Sequence, residues 1–230
     1  MKKISFIFII LVAALALFTS GCSLKQKATP TTTNTSAAIP PFLSQTNDTV
    51  QTRTSNNLAI AKAKAAEWKN DAVLTAYNVK VPADLTSIDP EETFIFGSTQ
   101  DTFNWWTISI SADGSFIRAL IPRQDYLGNE LQPITQTAWQ KTYLEALNTA
   151  EANGGLTFRA QNPEAQISLI LEQAQPNNFL WWVVTYQGAN NSLKVRISAR
   201  DGGIYDDFGS PISGISDPTS SPLPATSPAF

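Results

Sequence analysis

The chain contains no histidine and only one cysteine, Cys22, in 230 residues. Without histidine it lacks the usual general base of serine and cysteine hydrolases and the commonest protein ligand of transition metals. A single cysteine cannot form an intramolecular disulfide, so packing alone must stabilise the folded part. Ser-x-x-Lys pairs and glycine-rich phosphate loops are also missing from the sequence. These absences leave carboxylates as the remaining candidates for catalysis.

Charge is scarce as well. Charged residues make up 15% of the chain, with 16 basic against 19 acidic side chains and a net charge of −3. A mildly acidic chain without a lysine and arginine run lacks the electrostatic character of a nucleic-acid-binding protein, so we expect no nucleic-acid partner. The hydrophobic fraction of 43% instead predicts a globular core.

The first 21 residues have the pattern of a secretory signal peptide. Two lysines precede an uncharged, largely apolar run at 4–18. As a helix this run would span roughly 22 Å, short of the roughly 30 Å hydrocarbon core of a bilayer. Ser20 and Gly21 then place small residues directly before Cys22. We therefore expect residues 1–21 to be removed on export.

The small residues before Cys22 resemble the lipobox of bacterial lipoproteins. This resemblance implies that Cys22 becomes the first mature residue and carries a diacylglycerol, with palmitate among its acyl chains. Two acyl chains give durable attachment, so the resemblance implies a protein that is lipid-anchored to the extracytoplasmic face of a membrane. The alternative is an ordinary signal peptide with an incidental cysteine at that position.

Two stretches are too polar to bury an apolar core. Residues 22–56 are rich in Ser, Thr, Asn and Pro, and we predict a disordered tether there after the lipidated cysteine. Phe42 and Leu43 interrupt this run, and we interpret them as an incidental apolar pair rather than a docking segment. Residues 209–230 are rich in Pro and Ser and predict a disordered tail, with a short partner-binding motif as the alternative.

The middle of the chain has the pattern of a repeat. The pairs Trp105-Trp106 and Trp181-Trp182 lie 76 residues apart, and each opens a strongly alternating segment that follows a helical segment. We predict an α+β fold of two repeated units, 57–133 and 134–208. Each unit would pack one helix on a curved antiparallel sheet of about four strands.

Residue periodicity locates the elements within these units. Helical spacing predicts helices at 57–70 and 136–153. Thr135 or Thr137 can cap the start of the second helix, and Gly154-Gly155 would end it. The predicted strands are 73–81, 93–97, 105–111, 116–121, 156–160, 166–172, 181–186 and 193–200.

The second unit carries a helix ending in Gly154-Gly155, the strand start Trp181-Trp182-Val183-Val184, and Val-Arg-Ile-Ser-Ala-Arg-Asp-Gly-Gly at 195–203. These residues resemble the PepSY domain and its cystatin-like relatives. The first unit resembles them less, since it lacks Gly-Gly after its helix and ends in Pro122-Arg123. The family implies a non-catalytic module, found in metalloprotease pro-segments and exported envelope proteins, that binds or restrains proteases and other partners.

Five side chains are candidates for partner binding. Alternation turns Trp105 and Trp181 away from their core-facing neighbours, where an exposed indole would be a strong contact. The alternative is that both lie under a loop or between the repeats. Lys194, Arg196 and Arg200 share the wet face of the last predicted strand, where they would meet an anionic polymer or an acidic peptide. The alternative is a solvated strand face whose charges discourage aggregation.

Carboxylates are the last candidates for chemistry. Glycoside hydrolysis needs two carboxyl groups about 5–10 Å apart across a cleft, and the adjacency of Glu91 to Glu92, or of Asp206 to Asp207, does not provide this. Asp201 with the latter pair offers oxygen ligands for Ca²⁺ but lacks the alternating spacing of a calcium loop. We therefore expect no catalytic residue, metal or cofactor.

Taken together, these patterns predict a lipid-anchored, extracytoplasmic, non-catalytic binding module. By its resemblance it would bind or restrain a protease or another partner in the cell envelope. A structural envelope lipoprotein that acts as a spacer is the first alternative. A carboxylate-dependent hydrolase is the second.

Overall fold

The computed structural model describes residues 39–82, 84–125, 131–174, 178–206 and 209–212. The predicted signal peptide, the lipidation site Cys22, Asp207 and the tail beyond residue 212 lie outside the described residues. The described residues belong to one unit, Ala38–Phe230.

Three α-helices and eight β-strands form in the described residues. The helices are α1 (Asn47–Trp68), α2 (Tyr143–Ala150) and α3 (Leu156–Gln161). The strands are β1 (Val73–Val81), β2 (Glu91–Ser98), β3 (Asp101–Ile110), β4 (Phe116–Pro122), β5 (Gln166–Ala174), β6 (Phe179–Gln187), β7 (Ser192–Ser198) and β8 (Ile204–Tyr205). Single 3₁₀ turns lie at Pro41–Ser44, Arg123–Asp125 and Gln136–Ala138.

All eight strands belong to one antiparallel sheet with the order β4-β3-β2-β1-β5-β6-β7-β8. The central pair is β1 and β5, in a register that sets Tyr77 opposite Leu171. From this pair one meander runs outward through β2, β3 and β4, and the other runs through β6, β7 and β8. The predicted α+β class is confirmed, and the strands form one continuous sheet rather than two separate ones.

The helices pack on one face of the sheet, which we call the core face. Ala61 of α1 and Leu147 of α2 belong to the same buried cluster as the inward side chains of the strands. Tyr77 lies at the centre of this cluster, with its ring 4.8 Å from Phe94 and 5.7 Å from Trp182. Helix α1 contacts β2 and β3, whereas α2 contacts β6 and β7. Burial of this one face therefore supplies most of the apolar packing.

Helix α1 begins at Asn47, ten residues before the predicted start. The Thr46 side chain caps it by accepting a hydrogen bond from the Thr49 amide. The preceding 3₁₀ turn inserts Phe42 into the core, where it is fully buried and its amide donates to the Leu85 carbonyl. The interpretation of Phe42 as incidental was therefore wrong. The described residues from 39 to 56, placed in the tether by composition, form a 3₁₀ turn and more than two turns of helix.

The second helix differs from the prediction at both ends. It begins at Tyr143 and is capped by Thr142, which forms a reciprocal capping box with Glu145, so neither Thr135 nor Thr137 caps it. A π-turn at Glu151–Gly155 follows, with Gly154 at φ 107°. The chain then continues as α3 over residues 156–161, where a strand was predicted at 156–160.

The two tryptophan pairs occupy different places in the sheet. Trp105-Trp106 lies in β3, the third strand of its meander, whereas Trp181-Trp182 lies in β6, the second strand of the other. The 76-residue spacing therefore does not relate equivalent positions of the sheet, because the strand predicted at 156–160 is a helix.

Candidate binding surface

The face of the sheet opposite the helices, which we call the outer face, is the candidate binding surface. The strand registers place Asn78, Glu172, Trp181 and Arg196 on it, since each lies opposite a residue that faces away from the core cluster. No helix in the described ranges packs over this face. A two-layer protein of this kind leaves the uncovered part of that face available to another molecule.

Trp105 lies on the outer face, as alternation predicted, but it is only 4% exposed. It packs in a small cluster with Ala76, Ile95 and Leu131, the last from the segment that connects β4 to α2. The Arg123 guanidinium lies 4.1 Å from the indole centroid. Trp105 therefore fits the alternative in which a connecting segment covers the indole, and it does not offer an exposed contact.

Trp181 is covered in a different way and is 5% exposed. Its ring meets the ring of Tyr205 edge-on at 4.8 Å and that of Phe179 at 5.6 Å. Val183 completes this cluster. Each outer-face tryptophan thus belongs to a small apolar cluster separate from the main core. Sequence reasoning missed the covering residues because they come from other elements.

The basic residues of β7 lie where alternation placed them. Lys194 opposes Thr185 and Arg196 opposes Val183, both on the outer face. Lys194 is exposed, whereas Arg196 is half-buried and its Nη1 donates to the Asp206 carbonyl at 3.3 Å. Arg200 was predicted on the wet face of this strand, but β7 ends at Ser198, so Arg200 lies in the turn that leads to β8, where it is exposed. The structure therefore brings Lys194 and Arg196 together on one strand, with Arg200 at its end.

An acidic side chain lies close to these cations. Glu172 of β5 is half-buried on the outer face, opposite Trp181. Burial raises the pKa of Glu172, and the positive charges of Arg196 and Lys194 partly oppose this effect. The charges across β5 and β7 are therefore mixed, and Lys194 is the cation most accessible to a partner.

A depression of about 370 Å³ lies at the middle of the sheet. Its polar lining comes from both central strands and from β6, and its apolar lining comes from the end of β1 and the start of β5. The lining residues are Asn78, Lys80, Val81, Pro82, Gln166, Ile167, Ser168 and Gln187. Amide, hydroxyl and ammonium groups together offer hydrogen bonds to a polar or anionic ligand.

The adjacent acids Glu91 and Glu92 do not converge. Glu91 pairs with Lys80 on the outer face and is exposed, whereas Glu92 faces the core and is fully buried. Asn57 Nδ2 donates to Glu92 Oε2 at 2.9 Å, and Arg53 Nε lies 3.6 Å from Glu92 Oε1. Burial raises the pKa of Glu92, and these partners oppose it. Two carboxyls on opposite faces cannot flank one glycosidic bond.

The acids near the last turn are engaged in local contacts. Asp201 Oδ1 accepts from the Gly203 amide at 2.9 Å, and Asp206 Oδ1 accepts from the Ser210 amide at 2.8 Å. Asp207 lies outside the described residues. Within the described ranges, no three acidic or other metal-ligating side chains group together.

Sequence reasoning also missed a buried ion pair next to the π-turn. Arg159 Nε donates to Glu151 Oε1 at 3.0 Å, and the Tyr186 hydroxyl donates to the same oxygen at 2.8 Å. Burial and the Glu151 charge both raise the pKa of Tyr186. Gly155 permits this approach, because a Cβ there would collide with the Tyr186 hydroxyl oxygen. The arrangement holds α3 against β6 and has a structural role.

No protein-family model matches the chain, and no curated protein matches it. A solved structure that is similar is the crystal structure of a candidate lipoprotein from Clostridium difficile 630. Its sequence is 10% identical, its TM-score is 0.40, and the match covers 64% of this chain and 88% of that one. None of the helices in the described ranges has the length and hydrophobicity of a transmembrane segment.

Proposed function

We propose that this chain is an exported, non-catalytic binding module held to the extracytoplasmic face of a membrane through lipid on Cys22. The small residues before Cys22 support the anchor. The observation that carries the binding function is the outer face of the sheet, which has no helix over it in the described ranges. It presents exposed Lys194 two strands from Ser168, which lines the polar depression. The partner would lie in the cell envelope and would carry negative charge or hydrogen-bonding groups.

The shape of the sheet supports a further part of this proposal. Each meander starts at the centre and follows a helical segment, α1 before β1 and the α2–α3 pair before β5. We infer that the chain arose by duplication, with β1 equivalent to β5. The PepSY-like character of residues 134–208 remains part of this proposal and rests on its sequence pattern.

Removing the accessible cations tests the binding function. We expect Lys194→Gln combined with Arg200→Gln to weaken retention on immobilised polyglutamate about fivefold, because each exposed ion pair contributes about 0.5 kcal/mol. Arg196 is left unchanged, since it also bonds to the Asp206 carbonyl. Retention by the wild-type protein should fall as salt is added.

Lys62 provides the matched control, because it is exposed on α1, away from the outer face. Lys62→Gln should leave retention unchanged. Equal retention of the wild-type protein on polyglutamate and on a neutral polymer would contradict the proposal and favour a structural spacer. A loss in the Lys62 variant of about half that free energy, as expected for one charge removed in place of two, would show that only net charge is being measured.

A further inference from the structure

The two edges of the sheet differ sharply. At one edge β8 has only two residues, Ile204–Tyr205. Tyr205 also forms an isolated antiparallel β-bridge with Pro211. At the other edge β4 has seven residues, and no strand in the described ranges pairs with its outer side. Native proteins usually blunt a long edge with charges, bulges or a covering segment. An edge such as β4 is therefore a template for another strand.

The side chains of β4 are mostly apolar and accessible. Ile117 is 76% exposed and Leu120 is 53% exposed, and Phe116 at the strand start is 41% exposed. The one charge, Arg118, lies 3.9 Å from Glu67 of α1. In an antiparallel ladder, alternate residues direct their backbone N–H and C=O groups away from the paired strand. Strand β4 thus offers both hydrogen-bonding groups and apolar side chains.

We propose that β4 pairs with β4 of a second copy, antiparallel and centred on Ala119. The sequence Phe-Ile-Arg-Ala-Leu-Ile-Pro is nearly palindromic about this alanine. In that register Ile117 lies opposite Ile121 of the second copy, and Arg118 lies opposite Leu120. A register centred on Arg118 would instead place two like charges directly opposite each other, which destabilises a strand pair.

The other edge determines the form of the assembly. Strand β8 is short, and Tyr205 is bridged to Pro211. The β8 edge of a second copy therefore offers β4 no long strand to pair with. Pairing β4 with itself is isologous and closes as a two-fold dimer rather than an open fibre. A two-fold axis perpendicular to the sheet keeps both core faces on one side. The dimer would then present two outer faces together, which doubles the binding surface proposed above without depending on it.

Cysteine cross-linking tests both the contact and its register. In the exported form, residues 22–230, made without the signal peptide and carrying Cys22→Ser, which removes the only native thiol, Ala119→Cys places the two new thiols on directly opposed residues. Opposed residues have Cα atoms about 4.5–5.5 Å apart, within the range of a disulfide. We expect a covalent dimer under mild oxidation. The control Ile117→Cys sets its two thiols four positions apart, about 13 Å, and should not cross-link.

Sedimentation velocity supplies an independent readout with native β4. The protein carrying only Cys22→Ser should sediment as a dimer, and adding Ile117→Lys should shift it to monomer, because two lysines per interface enter an apolar strand pair. Ile117 is mostly exposed, so this change should leave the monomer folded, and the thermal unfolding midpoint should fall only by the contribution of the lost association. A monomer before the lysine change would overturn the proposal. Cross-linking of the Ile117→Cys variant in place of the Ala119→Cys variant would also overturn it. Binding of an extended apolar peptide to a monomer would do the same.

Discussion

At the scale of single residues, the buried carboxylates Glu92 and Glu151 each fix one element against another. Glu92 receives hydrogen bonds from Asn57 and Thr54 of α1 while its own backbone belongs to β2. Glu151 likewise connects the π-turn to Arg159 in α3 and Tyr186 in β6. Because a buried carboxylate is costly without partners, these groups penalise any other placement of the helices. They specify how helix and sheet meet.

The raised pKa of Glu92 gives a prediction about pH and stability. A carboxyl whose pKa is higher in the folded state contributes stability that is fully present below its ordinary value of 4.5 and is lost as the pH rises through the folded value. Glu92→Gln does not titrate. The free energy of unfolding of the variant, relative to the wild-type protein, should therefore increase as the pH rises from about 4 to about 7.

Urea unfolding at several pH values measures this difference. Glu91→Gln is the matched control, since Glu91 is the exposed neighbour on the opposite face and should show no comparable trend. A stability difference that moves in the opposite direction with pH would mean that Arg53 and the hydrogen bonds outweigh burial.

At the scale of elements, local pattern predicted the strands better than the helices. The strand predicted at 73–81 is β1, and alternation placed Lys194 and Arg196 on the correct face. The predicted start of α1 was ten residues too late, because the first turns of the helix are mostly polar and bury only Val50 and Thr54. The strand predicted at 156–160 is a helix, and the contact between its Arg159 and Glu151 is one that the local sequence pattern does not reveal.

The candidate binding surface, like the fold, could be predicted from the sequence only in part. Which face a side chain occupies follows from the period of two within a strand, so the basic residues were predictable. Whether that side chain is covered depends on residues distant in sequence. Trp105 lies beneath Arg123 and Leu131, and Trp181 beneath Tyr205. The periodicity of a strand does not show which residues from other segments pack over its side chains.

The segment before α1 can be tested as an element of the fold. Phe42 is fully buried, and its ring lies 6.1 Å from that of Tyr143. Phe42→Ala should lower the free energy of unfolding by about 3 kcal/mol, because a large buried ring leaves a cavity. Ile39→Ala is the control, since Ile39 is 72% exposed, and it should change stability by less than about 0.5 kcal/mol. Equal effects in urea titrations would mean that this segment does not dock in solution.

At the scale of the whole molecule, the asymmetry of the sheet connects the proposals. The helices cover one face, so part of the other face is available, and one edge is short while the other is long and apolar. A membrane anchor would concentrate such molecules in two dimensions, which favours weak contacts between copies and with envelope partners. The anchor is therefore the property on which the biological setting of the fold depends.

Lipid attachment at Cys22 can be measured directly. Cells expressing the full chain and fed an alkynyl palmitate analogue should label the wild-type protein, and Cys22→Ala should reduce the label to background, because no other cysteine is present. Ser23→Ala is the control and should keep the label, since it leaves the modified residue in place. Fatty-acid label is a better readout than membrane fractionation, because an uncleaved apolar run at 4–18 would itself retain the variant at the membrane. Label that persists in Cys22→Ala, or a wild-type protein whose mature amino terminus has an unmodified mass, would contradict the lipoprotein assignment and leave an ordinary exported protein.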